Sequence, residues 1–392
     1  MGELKRIWNK LILAFCGLVF VFSSVDVRCQ QSDTVVYADD FVIASLVVAD
    51  PGNILYSRVG HLGIHMECPD HNLDYVFSYE SEDVRHKVPA FLAGKLRMGM
   101  FAIPTAEYLE QYRREGRGVR EYRLNLPIDV KRELWRVLDN HMLEGANLPY
   151  DYITYGCAHS ALMMIKEALD TIPIEYGPWP ERFLAETRRE LTARYMAESS
   201  PWSWCFLNLI TNGSIDYECP VEDKLIMPGD LVEVLQQAQV GGRQMLGSDA
   251  TVLLAGDFRL KGSWFTPLLV SLLVLLLTLL CCWRGWRWMD YVLLTVQTLL
   301  GIVTVYLVCF SKLCCTEWSW LIVPFNPLPL LAWHWRRHWA LPYAVILVLW
   351  IAFVLLWPHT LTDGAYIVLT ATLILNYISI FISNKKRKAL IK

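Results

Sequence analysis

Metal-binding patterns are missing from this chain. It has no paired Cys-x-x-Cys arrangement and no His-Glu-x-x-His, so neither a metal nor a cofactor is expected. Charge of one sign is missing too. Lys and Arg number 36 against 39 Asp and Glu, a net charge of -3, and no long basic run precedes the C-terminus. That balance argues against nucleic acid as a partner. Cysteine is scarce in the middle of the chain, where only Cys68, Cys157, Cys205 and Cys219 occur between Gln30 and Trp264. This is too few for a disulfide framework. A pairing of Cys205 with Cys219 across the short loop between them is left open. Long apolar runs are likewise absent from the middle, although 54% of the 392 residues are hydrophobic.

The apolar residues concentrate in a short N-terminal block and beyond Trp264. Residues 1–29 read as an export signal or an uncleaved N-terminal anchor. Lys5, Arg6 and Lys10 precede the apolar run Leu11–Phe22, which is too short for a comfortable span, and Val27 and Cys29 offer a cleavage site before Gln30. Asp26-Val27-Arg28 does not suit a lipobox ending at Cys29. Residues 30–262 then form an exported domain large enough for its own core, and residues 263–392 a membrane domain. Trp264–Trp283, Met289–Phe310, Tyr343–Trp357 and Ala365–Ile382 are the clear spans. Trp318–Trp333 is apolar but broken by Pro324, Pro327 and Pro329. If it crosses, Arg284, Arg287, Arg336, Arg337 and the Lys385–Lys388 tail all fall on the cytoplasmic side. The expectation is therefore about five spans, the third discontinuous. Tryptophans 283, 286, 288, 318, 320, 333, 335 and 339 would form the interfacial belt.

The middle of the chain reads as α+β. Strands are predicted at Phe41–Ala49, His61–Met66, Leu73–Tyr79, Arg97–Ile103 and Val119–Leu126. A short helix is predicted at Tyr108–Arg114, an amphipathic one at Asp129–Leu143, a polar one at Pro180–Ala197 and another at Leu231–Ala238. Ser200-Pro201-Trp202 is predicted to open an irregular region.

The stretch Tyr150–Leu169, YDYITYGCAHSALMMIKEAL, carries the chemistry. Ala158, Leu162, Met163, Ile165 and Leu169 follow helical spacing, which places Cys157 in the first helical turn. Free backbone N–H groups and the positive helix end favour a thiolate there. A nucleophilic thiol also needs a base. His61, on the strand opened by Gly60-His61, is the candidate, 96 residues earlier. The group that orients His61 is left open between Asp74 and Ser78 on the following strand. His65 shares a strand face with His61, but four residues along a strand is about 13 Å, too far for both to touch one thiol. His159 should point away from Cys157, and His71 and His86 should lie at the surface. The competing reading of a lone cysteine at a helix start is a packing residue.

HLGIHM resembles the His-strand motif, and GCAHSA the nucleophile motif, of permuted papain-like (NlpC/P60-like) thiol enzymes, in which the His strand also precedes the Cys helix. DPGNILYSRVGHLGIHM, DYVFSYES, VPAFLAGKLRMGMF, YDYITYGCAHSA, SPWSWCFLNLI and the membrane segment with FNPLPLL are similar to the Lnb family of bacterial lipoprotein N-acylation proteins. The resemblance implies a thiol acyltransferase of the inner membrane with Cys157 as nucleophile and His61 as base. It implies a phospholipid donor, a lipoprotein acceptor, a periplasmic domain and a cytoplasmic tail. The family's usual Asn before the Cys is Gly156 here. A periplasmic cell-wall cysteine peptidase or amidase, or a non-catalytic membrane-tethered scaffold, are the alternatives.

Overall fold

The computed structural model describes residues 42–389 except 54–56, 83, 85, 144–147, 152, 154–155, 259–262 and 358–361. The predicted export signal or anchor at 1–29 lies outside the described residues. The described chain is an α+β domain followed by a helical membrane domain.

Strands β1 (Ile43–Ala49), β2 (His61–Cys68), β3 (Leu73–Ser81), β4 (Arg97–Pro104), β5 (Val119–Arg123), β6 (Leu148–Pro149) and β10 (Thr251–Leu254) form one sheet, in the order β10-β5-β1-β2-β3-β4-β6. Every pairing is antiparallel. β7 (Ile174–Glu175), β8 (Gln239–Val240) and β9 (Arg243–Gln244) make a small second sheet. Alternation along the strands splits the main sheet into two apolar faces. One presents Leu46, Leu62, Ile64, Met66, Phe77 and Met100. It is covered by α3 (Ile128–Leu143) and α4 (Cys157–Leu169). The other presents Val47, Ala49, Val76 and Val119 to Tyr108 and Tyr112 of α2 (Thr105–Arg114). Helix α1 (Val88–Leu92) lies between β3 and β4.

On α4, Ala158, Ala161, Leu162, Ile165, Ala168 and Leu169 are buried, the i, i+3, i+4, i+7 stripe of an amphipathic helix. Met163, read as part of that stripe, is exposed, and Met164 takes the inward position.

Two predicted elements differ. The single polar helix at Pro180–Ala197 is two helices, α5 (Glu181–Ala185) and α6 (Arg188–Met196). The chain is extended at Glu186, and Thr187 starts α6 with a reciprocal capping box to Glu190, which favours a new start over continuation. The region opened by Ser200-Pro201-Trp202 is helical, not irregular. α7 (Pro201–Ile210) has its Pro at the first position, and Trp204, Leu207 and Ile210 are buried in the core shared with the membrane helices. α8 (Pro228–Leu235) follows.

Among the described residues, four helices are long and apolar enough to cross a membrane: α9 (Pro267–Arg284), α10 (Trp288–Phe310), α12 (Arg336–Leu356) and α13 (Gly364–Ala389). Between α10 and α12 the chain runs back along α10 in short pieces, with α11 (Leu328–Leu331) flanked by 3-10 turns at Trp320–Ile322 and Trp333–Trp335. Its two ends mark the traverse. Trp318 bonds Tyr217 of the α+β domain, and Trp333 packs on Tyr291 at the start of α10. Midway, the Gln297 amide donates to Pro324 O at 2.7 Å and to the Tyr343 hydroxyl at 3.0 Å. Asn326 crosses α10 at Gly301, where a Cβ would stand 2.5 Å from the Asn326 backbone. The prolines that deny this segment a helix leave backbone groups to be satisfied by protein side chains, as membrane depth requires. Arg287 reaches Ser383 of α13, so the end of α13 lies at the same face as the start of α10.

The α+β domain is seated on the other face. Lys312 N–H donates to Ala93 O, and the Ser311 hydroxyl to Leu92 O at 2.6 Å. Gly94, at φ +64°, lies against the Lys312 backbone so closely that a Cβ would stand 2.2 Å from it.

Candidate active site

Gly156, extended at ψ 170°, ends the loop before α4, and Cys157 is the helix's first residue. The N–H groups of this first turn have no partner within the helix, and no side chain caps them from Gly156. Cys157 is half-buried. It faces the His61 ring and the backbone N–H of Leu62, both of which stabilise its charged form. The β2–β3 ladder begins only at Ile64, which leaves His61 and Leu62 unpaired on the β3 side while they pair with β1.

The register of that ladder builds the rest. Ile64 lies opposite Phe77, so His61, three residues earlier, falls level with Glu80 and diagonal to Ser78. His61 Nε2 is 2.7 Å from Ser78 Oγ and 3.4 Å from Glu80 Oε1. The Ser78 hydroxyl donates to Glu80 Oε1 at 2.8 Å. Since that proton is used, Ser78 Oγ accepts from His61 Nε2–H. The order is therefore thiol, imidazole, hydroxyl, carboxylate.

Electrostatics follow from this geometry. Burial opposes the charged form of His61. The Cys157 sulfur and the Glu80 carboxylate outweigh it and hold the imidazole pKa well above its ordinary value. Burial likewise opposes the Cys157 thiolate and is outweighed by His61 and by the Leu62 N–H, so the thiol pKa is lowered. Burial raises the Glu80 pKa, but His61, Ser78 and Arg117 pull it below the usual carboxylate value. The His61 and Cys157 shifts both act in the direction that favours the thiolate–imidazolium form of the pair.

Of the residues singled out from sequence, the fold brings together Cys157, His61 and Ser78. Asp74 is not beside His61. It bonds His65 Nε2 at 2.8 Å, while Glu121 Oε1 takes His65 Nδ1 at 2.6 Å. The same diagonal that aims Ser78 at His61 aims Asp74 at His65. His159 lies among Glu222, Asp223, Lys166 and Arg188, and His71 and His86 are exposed. Cys205 and Cys219 are both free thiols. Glu80 was missed. β3 extends to Ser81, two residues beyond its predicted end, and carries Glu80 with it. The signal was present in FSYES, where Ser78 and Glu80 alternate onto one face.

These features define a cysteine–histidine site on an antiparallel α+β domain seated on a helical membrane bundle. The Lnb N-terminal periplasmic domain matches residues 33–187, and the Lnb transmembrane domain matches residues 259–388. The chain belongs to the Lnb family of lipoprotein N-acylation proteins, with its α+β part in the periplasm. No curated protein and no solved structure matches it.

Proposed function

We propose that this membrane protein transfers an acyl chain from a phospholipid, through a Cys157 thioester, to the α-amine of a diacylglyceryl-cysteine lipoprotein. The observation that carries the reading is the Cys157–His61–Ser78–Glu80 chain, in a domain that is itself seated on the membrane bundle. With Nε2 committed to Ser78, Nδ1 is the nitrogen that exchanges a proton with the reacting groups. The thiolate attacks a donor ester carbonyl, forming a C–S bond. The tetrahedral oxyanion is held by the Cys157 N–H and its neighbours in the open first turn of α4. On collapse the C–O bond breaks, and the His61 imidazolium gives its proton to the departing lysophospholipid. The lipoprotein amine then attacks the thioester, His61 takes its proton, and the thiolate leaves as the amide forms. Both substrates are embedded in lipid, which accounts for a thiol domain seated on membrane helices. The domains are residues 30–262 in the periplasm and 263–392 in the inner membrane, with the C-terminal tail in the cytoplasm.

The test is intact mass of the full chain in detergent, incubated with phospholipid and no acceptor. A hydroxylamine-labile acyl increment that is absent from Cys157→Ala is expected. No increment, with Cys157 reduced and accessible, would sink the acyl-transfer reading and favour a cell-wall peptidase or an inactive scaffold.

A further inference from the structure

The turn before β2 holds an unusual charge. Gly60 N–H donates to Ser57 O at 3.0 Å, and inside this turn sits Arg58, three residues ahead of His61. Three residues separate two Cα atoms by at most about 11 Å, so the guanidinium belongs to the surroundings of the site. Arg58 is 7% exposed. Among the described residues it has one hydrogen bond, from Nη2 to Asn53 Oδ1 at 3.0 Å, and its Nε has no acceptor. Among the described residues no carboxylate pairs with it, whereas the buried arginines 117 and 189 each hold one, Glu115 and Asp216 respectively. Burial alone draws its pKa below the ordinary value, with no acidic neighbour acting on it. A desolvated cation with an unused donor and no counter-charge is costly unless an anion arrives to complete it.

Its position says which anion. Gly60 lies against Pro228, and Ile226 O faces Gly156 at the start of α4. The Arg58 turn, the 226–228 segment and the Cys157 end of the helix therefore meet. Val59, beside Arg58, packs on the core shared with the membrane helices. An anion bound here would lie near both the Cys157 end of the helix and the core shared with the membrane helices.

We infer that Arg58 binds the phosphodiester of the donor glycerophospholipid while the ester carbonyl faces Cys157. This rests on the acyl-transfer reading above. In such a lipid only the glycerol separates phosphate from ester, so one molecule spans both groups. A planar guanidinium with an unused Nε–H suits a phosphate oxygen. A diacylglyceryl-cysteine acceptor carries no phosphate. Arg58 thereby distinguishes donor from acceptor, and makes diacylglycerol a poor donor despite identical acyl chains.

Binding is measured first, on full-length Cys157→Ala in detergent, by native mass spectrometry with dioleoyl phosphatidylglycerol and with dioleoylglycerol. Arg58→Gln in that background should weaken phosphatidylglycerol binding by at least about 10-fold, the lower end for a charge-assisted hydrogen bond. Dioleoylglycerol binding should be unchanged, and Arg58→Lys should recover part of the loss. Equal loss for both lipids, or for neither, overturns the assignment. So does displacement by inorganic phosphate at the lipid's own affinity, which would mark a free-phosphate site. Acylation of Cys157 is read separately on chains that retain it. Arg58-dependent binding without any acyl-enzyme would keep the phosphate site and remove the acyl-transfer reading. Undiminished acylation by phosphatidylglycerol in Arg58→Gln would do the reverse.

Discussion

At Cys157 the lowered thiol pKa and the raised imidazole pKa have one cause, each group's charge stabilising the other. The pH midpoint of iodoacetamide alkylation of the native protein should therefore lie below that of an ordinary thiol of pKa about 8.5. His61→Ala should return the alkylation midpoint toward that ordinary value, and Glu80→Gln should move it part of the way. An unchanged pH profile in His61→Ala would show that the two groups do not interact. His65 gives a separate prediction, for stability. Burial disfavours its charged form, but Asp74 and Glu121 outweigh that and raise its pKa to about 9. Folded His65 thus holds its proton more tightly than unfolded His65, whose pKa is about 6.5. Its contribution, on the order of 3 kcal/mol, is full below about pH 6.5 and is lost as pH rises through about 9. Thermal unfolding across pH 6 to 10 should show wild type losing its advantage over His65→Gln in that window.

At the scale of single elements, local capping decides where helices begin. Thr187 and Glu190 satisfy each other's backbone donors, and this divides α5 from α6 where composition alone suggested one polar helix. Thr187→Ala should cost about 1 kcal/mol, read as a lower midpoint of thermal or denaturant unfolding with the site chemistry retained. The start of α4 differs. No side chain caps it, and a Cβ at Gly156 would meet only Ile226 O, at 3.7 Å. Gly156→Asn should therefore fold, and its stability should rise by a few tenths of a kcal/mol, as expected when Asn replaces Gly at an N-cap. A loss of more than 1 kcal/mol in the same unfolding measurement would show that the position cannot take a side chain.

For the whole molecule, the α+β domain and the membrane bundle meet backbone to backbone at Gly94. Its left-handed backbone and the adjacent Lys312 main chain leave no room for a side chain. Gly94→Ala should cost at least roughly 1–2 kcal/mol from backbone strain and should loosen the seating of the domain. The checks are faster proteolysis between the domains and slower thioester formation from bilayer phospholipid. A soluble ester substrate should be affected less, because the Cys157–His61 pair lies within one domain. Equal loss on both substrates would indicate that the domain itself had unfolded.

What the sequence determined by itself is what depends on short-range periodicity. The first five strands, α3, α4, the four long apolar helices and the broken traverse at Trp318–Trp333 all follow from spacing of period 2 or 3.6, or from prolines within an apolar run. Cys157 at a helix start and His61 on a strand were legible for the same reason. The partners of His61 were not, because register between strands is a tertiary property. Asp74, Ser78 and Glu80 alternate onto one face of β3, and only the pairing of Ile64 with Phe77 gives Ser78 and Glu80 to His61 and Asp74 to His65. α7 was hidden by its aromatic, proline-led sequence and is held by burial against helices far along the chain. The lack of a counter-charge at Arg58 belongs to the same class. A counter-charge is a matter of which side chains meet in space, and that is settled only once the domain is folded and seated on its membrane helices.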